Sequence, residues 1–409
     1  MLSKADNNLI TQTGRDTPMG RLMRQYWVPV LHSTQLLPGG APHRFTVFGD
    51  KYVAFRSPDG EPGVMDEACP HRGASMALAR NEAQGLRCIY HGWKISPSGA
   101  LLDAPTHPPH VDLCKVTTWA HPVREGQGMI WTWLGEGAAP AFRQLAFTQL
   151  PDNQVIAATA LLNCNWLHPL ETLWDVFHAQ MLHNQTNRAS TRGSVYFSKS
   201  GRRTDEGMEF DYPEMTAHPT EYGFTHTNAD AAKTTTFQFI LPFIQHHTIS
   251  PDPADDKGLQ ISVPIDDDHT LLWMIFYNKN APLKSDGSGM RGLGNVPDRT
   301  DFLKHLGERS AENRWGQDRE AMEKHGSFSG LAASEMLMTI FREDAAVIES
   351  QGRADRSAEN LALVDRALIE GRRTLISAVR EHEAGMTPRG RDLDLPHVEA
   401  HFGVNQTLA

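Results

Sequence analysis

The sequence predicts an α+β protein in two parts: a small all-β domain with an N-terminal helix over residues 1–140, then a larger domain over 141–409 that mixes strands and helices. Three observations predict it. From Trp27 to Leu134, short apolar stretches alternate with turn sequences. At Gly135-Glu136-Gly137-Ala138-Ala139-Pro140 the composition shifts to small residues and proline, as in a linker. Beyond it, strand-like and helix-like periodicities occur in one continuous region.

In chain order, Pro38-Gly39-Gly40, Ser57-Pro58-Asp59-Gly60 and Ser96-Pro97-Ser98-Gly99 mark turns. Tyr52 to Phe55 and Gly128 to Trp133 read as strands between such turns. Val64 to Ala68 reads as a strand entering one loop, and Gly92 to Ile95 as one leaving another. In the second part, a helical stretch runs from about Asn165 to His183, and strands are expected over Thr234 to Leu241 and His269 to Tyr277. A long C-terminal helix follows, in which Leu361, Val364, Leu368, Leu375 and Val379 recur at three to four residues or multiples of that spacing. Such a face packs a core, here against a sheet, and Pro388 lies just beyond it.

The 409 residues, 40% hydrophobic and 22% charged, have globular proportions. Net charge is −10 with Lys and Arg scattered, so no basic stripe exists to neutralise a phosphate backbone, and nucleic acid is excluded as a partner. The longest apolar run, Leu271 to Tyr277, is far short of the roughly 18 residues a membrane span needs. The first residues carry neither an apolar signal core nor an Arg/Ser-rich presequence, so a cytoplasmic location is expected. Four cysteines are too few for a disulfide scaffold in so long a chain and better suit metal ligation.

Two of them sit in loops that each pair one thiolate with one imidazole: Cys69-Pro70-His71 and Cys88-Ile89-Tyr90-His91. If one iron takes Cys69 and Cys88 and a second takes His71 and His91, the division is that of a Rieske [2Fe-2S] cluster, whose neutral imidazoles raise its potential. Tetrahedral zinc also accepts two Cys and two His, but zinc sites usually group like ligands close together, whereas each loop here mixes them. Gly73 and Gly92 leave room for backbone amides to approach the cluster sulfurs. At this point the sequence resembles the Rieske domain of aromatic-ring hydroxylating oxygenases.

Glu171, Trp174, Asp175, His178 and His183 form the densest group of chemically useful residues elsewhere. Non-haem Fe(II) oxygenases use two histidines and one carboxylate, leaving open positions at the metal, and His178 and His183 supply two of the three. A five-residue step turns an ideal helix about 140° past a full revolution, so a break or π-bulge between them is required. Asp175 and His178, three apart, share a face, so the Asp175 carboxylate is expected to accept a hydrogen bond from the His178 nitrogen that does not hold metal.

The segment resembles the family's iron-binding helix through Asn165-Trp166, Glu171, Asp175, His178 and Leu182-His183. The resemblance implies roles for Asn165 and Asp175 in catalysis, with Asp175 linking His91 of a neighbouring subunit to His178. It also implies a carboxylate far downstream as third ligand, in Glu343-Asp344-Ala345-Ala346-Val347-Ile348-Glu349. Asp344 is the choice and Glu343 the fallback, since helix neighbours point about 100° apart and cannot both face one metal.

Pro18 to Trp27, Val263-Pro264-Ile265-Asp266-Asp267 and Gln317 to Met322 look like the phthalate dioxygenase branch. That likeness implies a helix-grip catalytic domain, a flavin- and ferredoxin-type NADH reductase as electron donor, and homotrimers or stacked hexamers. It also implies bacterial dihydroxylation of an aromatic carboxylate or diaryl compound with O2, the alternative being monooxygenation or demethylation. Two rivals from other classes are a zinc-stabilised binding protein and a pure electron carrier; neither uses the Asp175, His178, His183 and Asp344 set. One departure concerns substrate: phthalate-type enzymes carry basic residues soon after Tyr-Gly-Phe, but Tyr222-Gly223-Phe224 precedes Thr225-His226-Thr227-Asn228. Arg202-Arg203 could pair with a carboxylate or form a surface turn. His246 and His247, adjacent on a strand, point to opposite faces and cannot pair on one metal.

Overall fold

The computed structural model describes residues 2–108, 110–112, 116, 118–183, 202–204, 207–210, 212–230, 233–247, 256–283, 296, 298–324, 327–331, 336–353 and 355–404. It divides into two compact units, one of residues 13–142 and the other of residues 1–12 together with 143–409. Among the described residues, no helix is long and apolar enough to cross a membrane.

Two short helices open the chain. Helix α1, Lys4–Thr11, is capped by the Ser3 hydroxyl, which accepts from the Asp6 N–H. Helix α2, Pro18–Met23, has Thr17 as its cap and Pro18 where a missing N–H costs nothing.

Unit 13–142 is all-β after α2. Strands β1 (Trp27–His32), β2 (His43–Val47), β3 (Asp50–Arg56), β4 (Pro62–Asp66), β5 (Arg80–Glu82), β6 (Gly85–Arg87), β7 (Lys94–Ile95), β8 (Leu101–Asp103), β9 (Ala120–His121), β10 (Val123–Gly126) and β11 (Met129–Trp133) build three small antiparallel sheets. Their orders are β1-β11-β10, β2-β3-β4-β9 and β5-β6-β7-β8. Val53, Phe55, Met65, Leu86, Trp93 and Ile95 form a buried core that includes Cys69 and Cys88.

The other unit is built on one antiparallel sheet. Strands β12 (Val155–Leu162), β13 (Arg202–Thr204), β14 (Gly207–Glu209), β15 (Glu214–Pro219), β16 (Gly223–Ala229), β17 (Lys233–Ile240), β18 (Ile244–His247), β19 (Lys257–Pro264), β20 (Thr270–Tyr277) and β21 (His401–Val404) follow in sequence. The sheet runs β12-β20-β19-β18-β17-β16-β15, with β21 added to β17, while β13 and β14 form a separate ribbon. The side chains of Arg202 and Arg203 on that ribbon lie outside the described residues.

The longer helices and the one that carries His178 are α3 (Leu167–Trp174), α4 (His178–Met181), α5 (Met336–Ser350) and α6 (Arg366–Glu383), with a further short helix at Arg319–Glu323. Phe341, Ala345 and Ile348 of α5 close a core with Ala158, Leu162, Leu272, Met274 and Phe276 of the sheet. Helix α6 packs on β15, β16, α3 and α1. Its buried stripe is Ala367, Leu368, Gly371, Thr374, Leu375, Ala378 and Val379; Leu361 and Val364, expected on the same face, precede the helix.

The N-terminal helix corrects the expected division. The sequence places it with residues 1–140, whereas α1 belongs to the second unit, where it buries Asn7, Ile10 and Thr11. The Leu2 N–H donates to the Arg356 carbonyl, and the Arg356 N–H donates back to Asn7 Oδ1 at 3.1 Å.

Candidate metal centres

The two Cys/His loops fold alike. In each, the cysteine N–H donates to the carbonyl five residues on (Cys69 to Ala74, Cys88 to Trp93, both 2.8 Å), and the residue four on donates back to the cysteine carbonyl. That residue is Gly73 or Gly92, at φ +73° and +77°, a conformation that favours glycine. The paired turns bring the His71 and His91 rings to 4.5 Å between centroids and place two buried thiols beside each other without a disulfide. Burial pushes the Cys69 thiol up to about 11, with Cys88 adding to the rise and the His71 and Arg72 N–H groups opposing it.

A cation supplies the charge that makes such thiolates stable. Among the described residues His71 Nδ1 is buried with no hydrogen-bond partner, as a nitrogen meant for a metal is. Trp93 stacks on His71 at 4.7 Å and is itself anchored by its Nε1–H to Thr106 Oγ1 at 2.8 Å. The residues therefore fit a cluster with two thiolate and two imidazole ligands.

The required break between His178 and His183 is present. Helix α3 ends at Trp174, Asp175 turns the chain at φ −86° and ψ 82°, and α4 restarts at His178 and ends before His183. With this elbow, one ligand atom each from His178, His183 and Asp344 lies within 4.8 Å of the others. Asp344 Oδ1 is 3.0 Å from His183 Nε2 and 3.5 Å from His178 Nε2, yet among the described residues it is buried without a hydrogen-bond partner. Three atoms facing one point, rather than paired to one another, fit a metal ion.

The charge distribution agrees. Burial, the largest influence, lowers the His183 pKa, but Asp344 and Glu343 outweigh it and bring the ring up to about 9. Burial raises Asp344, and the two imidazoles more than reverse this, holding its carboxyl well below the usual range. The site is built to hold positive charge.

Both rings are aimed from behind. Glu343 Oε2 is 2.7 Å from His183 Nδ1, and Glu343 Oε1 accepts from the Ser329 hydroxyl at 2.5 Å. Glu343, the fallback ligand, thus holds the ligand instead. Asp175 corrects an expectation: the His178 Nδ1–H meets the Asp175 backbone carbonyl, while the carboxylate Oδ1 caps the elbow by accepting from the Phe177 and His178 N–H groups at 3.0 and 3.3 Å. The local turn brings the carbonyl closer than Oδ2, which stays 3.9 Å away.

Asn165 also departs from its expected place. Its amide donates to the Thr11 and Asp267 carbonyls, and its Oδ1 accepts from the Leu167 N–H, so it pins the start of α3 rather than facing the triad. Glu171 is buried between Arg356, which it meets through Nε and Nη2 at 2.6–2.8 Å, and Arg372 at 2.7 Å. Neither arginine carried a signal in the sequence. Beside Asp344 a cavity of about 20 Å³, lined by Leu173, Gln260, Phe341 and Ile348 among others, has room for about one water-sized molecule.

The Rieske [2Fe-2S] domain family matches residues 26–120, and the family described as LigXa C-terminal domain like matches residues 132–404. The chain is 34% identical over 412 residues to the 3-chlorobenzoate-3,4-dioxygenase oxygenase subunit of Comamonas testosteroni, covering 95% of this chain and 91% of that one. It is 34% identical over 404 residues to the phthalate 4,5-dioxygenase oxygenase subunit of Pseudomonas putida, covering 95% and 89%. Among solved structures, the terminal oxygenase of carbazole 1,9a-dioxygenase from Nocardioides aromaticivorans IC177 has the same fold, with a TM-score of 0.61 at 17% identity, covering 92% of this chain and 97% of that one.

The chain belongs to the Rieske oxygenase family. It is the oxygenase subunit of a multicomponent oxidoreductase, with a Rieske [2Fe-2S] cluster and a mononuclear iron as cofactors.

Proposed function

We propose that Cys69, His71, Cys88 and His91 hold the cluster, that His178, His183 and Asp344 hold the iron, and that the subunit dihydroxylates an aromatic carboxylate. The observation that carries this reading is the convergence of the three ligand atoms within 4.8 Å across an elbow and a distant helix. The substrate class rests on the 3-chlorobenzoate- and phthalate-dioxygenase relatives. When bound, the cluster supplies single electrons and the iron a site for O2 activation.

The chain's own residues prepare that chemistry. Glu343 and the Asp175 carbonyl take the outer N–H of each imidazole, so both Nε2 atoms present lone pairs to the same point. Val176, Ala179, Met215 and Phe237 form an apolar cluster at the elbow. Three protein ligands leave coordination positions free.

The partners are an NADH-dependent reductase and further copies of this chain, in trimers or stacked trimers, with His91 of one copy facing Asp175 of the next. The Asp175 side chain remains a third exposed, as such a contact needs. The test is Asp344→Ala: the visible and EPR signature of the cluster is retained while iron in the second site and substrate oxidation are lost. Unchanged turnover would refute the ligand set.

A further inference from the structure

Strand β19 places an amide where the core is otherwise apolar. Gln260 pairs with Met274 of β20, and Met274 belongs to the core that α5 closes, so Gln260 lies on the sheet face beneath that helix. It is 6% exposed, and among the described residues no protein group hydrogen-bonds to its side chain. It lines the cavity beside Asp344, in the company of Leu162, Leu272, Phe341 and Ile348. A buried amide in such surroundings is costly unless it finds a hydrogen-bond partner.

The same cavity supplies one. Asp344 lines it from α5 and Thr172 from α3. Asp344 turns Oδ1 to the two imidazoles, which leaves its other oxygen to accept. The Thr172 hydroxyl already donates to the His168 carbonyl at 3.0 Å, so towards any other group its oxygen can only accept. The lining therefore offers an N–H donor at Gln260 and acceptors at Asp344 and Thr172. A water molecule, with two hydrogens to give and a lone pair to receive, matches that set. The cavity, of about 20 Å³, exceeds the roughly 10–15 Å³ that one water needs, and three polar partners are the usual number for a buried one. An aromatic ring does not fit this volume, and dioxygen would leave the amide and the carboxylate unmet.

The position of that water matters for the metal. Glu343 stands behind His183 and the Asp175 carbonyl behind His178, whereas among the described residues the Asp344 carboxylate meets only the two imidazoles. Ligating carboxylates are normally held from behind as ligating histidines are. Resting on Asp344 as an iron ligand, we propose that Gln260 is a positioning residue: its amide holds a buried water that donates to the outer oxygen of Asp344 and to Thr172. The third ligand thereby gains the support that the protein gives the other two directly.

Two measurements test this. A crystal structure of the full chain, with crystals also exposed to xenon under pressure, should show an ordered water within hydrogen-bond distance of Gln260, Thr172 and Asp344. No ordered water there, or a xenon atom in its place, overturns the proposal. Anaerobic Fe(II) titration then compares the wild type with Gln260→Met, which keeps the side-chain length and removes the amide, after stripping the second site and retaining the cluster. The variant should bind Fe(II) roughly tenfold more weakly. Its metal-free form should melt no lower than the wild type, because a buried polar group has been removed. Unchanged affinity, or a melting temperature that falls along with it, overturns the proposal alone. A wild type whose second site takes up no Fe(II) overturns the Asp344 ligand reading together with it.

Discussion

Replacing Glu171 with alanine isolates a buried electrostatic cluster in the second unit. The Arg356 and Arg372 side chains are only 2% and 3% exposed, and Glu171 neutralises both. Removing one partner of a buried pair costs about 3–5 kcal/mol, because the remaining charge cannot be resolvated. For a unit of this size each kcal/mol moves the melting temperature by about 2–4 °C, so Glu171→Ala should melt about 6–20 °C lower. Glu359 contacts the same Arg372, but its side chain is 32% exposed. Glu359→Ala should therefore cost no more than about 1 kcal/mol, since Arg372 keeps Glu171 and solvent screens the lost pair.

Differential scanning calorimetry of the two variants compares them directly. Similar, small shifts for both would refute the reasoning that burial sets the magnitude. The pH dependence has a definite sign. Burial alone would raise Glu171, but the two guanidinium groups hold it below the ordinary carboxylate range. Its stabilisation is therefore complete above its unfolded value of about 4.3 and lost as pH falls towards the lowered folded value.

Three further outcomes are expected. His183, raised to about 9 in the metal-free site, must release a proton to bind Fe(II), so the apparent affinity of metal-stripped protein should tighten by up to about tenfold per pH unit between pH 6.5 and 8.5; an anaerobic titration that gives a flat profile would contradict this. That same proton stabilises the metal-free fold fully below the unfolded histidine value near 6.5, and the contribution is lost as pH rises through about 9. Glu343→Ala should lower iron affinity by about 10–100-fold with the cluster intact, measured as metal content after dialysis. Gly371→Ala would bring a methyl group within 2.5–2.8 Å of three Trp174 ring atoms. The overpacking cost of about 1–3 kcal/mol should exceed the gain of about 1 kcal/mol in helix propensity, and a higher melting temperature would show that α6 can withdraw freely.

The two cluster loops and the elbow before His183 were legible in the sequence because their chemistry is local, whereas Asp344, on a distant helix, was reached only through likeness to the family. Each cluster loop is a tight turn with its ligands and its left-handed glycine inside six residues, and the break between His178 and His183 followed from helix arithmetic alone. The strands β3, β11, β17 and β20 showed in their apolar and β-branched runs. What the sequence did not disclose depends on contacts across long separations. Glu171 looked like part of the iron constellation until Arg356 and Arg372, 185 and 201 residues away, were seen to neutralise it. The Asp175 carboxylate was expected to hold His178; the i,i+3 spacing could not show that the elbow turns the backbone carbonyl there first. Asn165 matched a motif, but its partners, Thr11 and Asp267, come from distant parts of the chain.

The placement of α1 sets an order of assembly on the ribosome. Residues 1–12 emerge long before the segments they dock with: Arg356 is 349 residues from Asn7, and Arg380 is 374 from Asp6. Residues 13–142 make their internal contacts among themselves and can close while translation continues at about 5–20 residues per second. The amino-terminal helix must then wait, its Ile10 face uncovered, until α6 has been made. Its docking is a late event of maturation, and a nascent chain that stalls before Arg356 displays that unclaimed helix to the chaperones that patrol unfinished proteins.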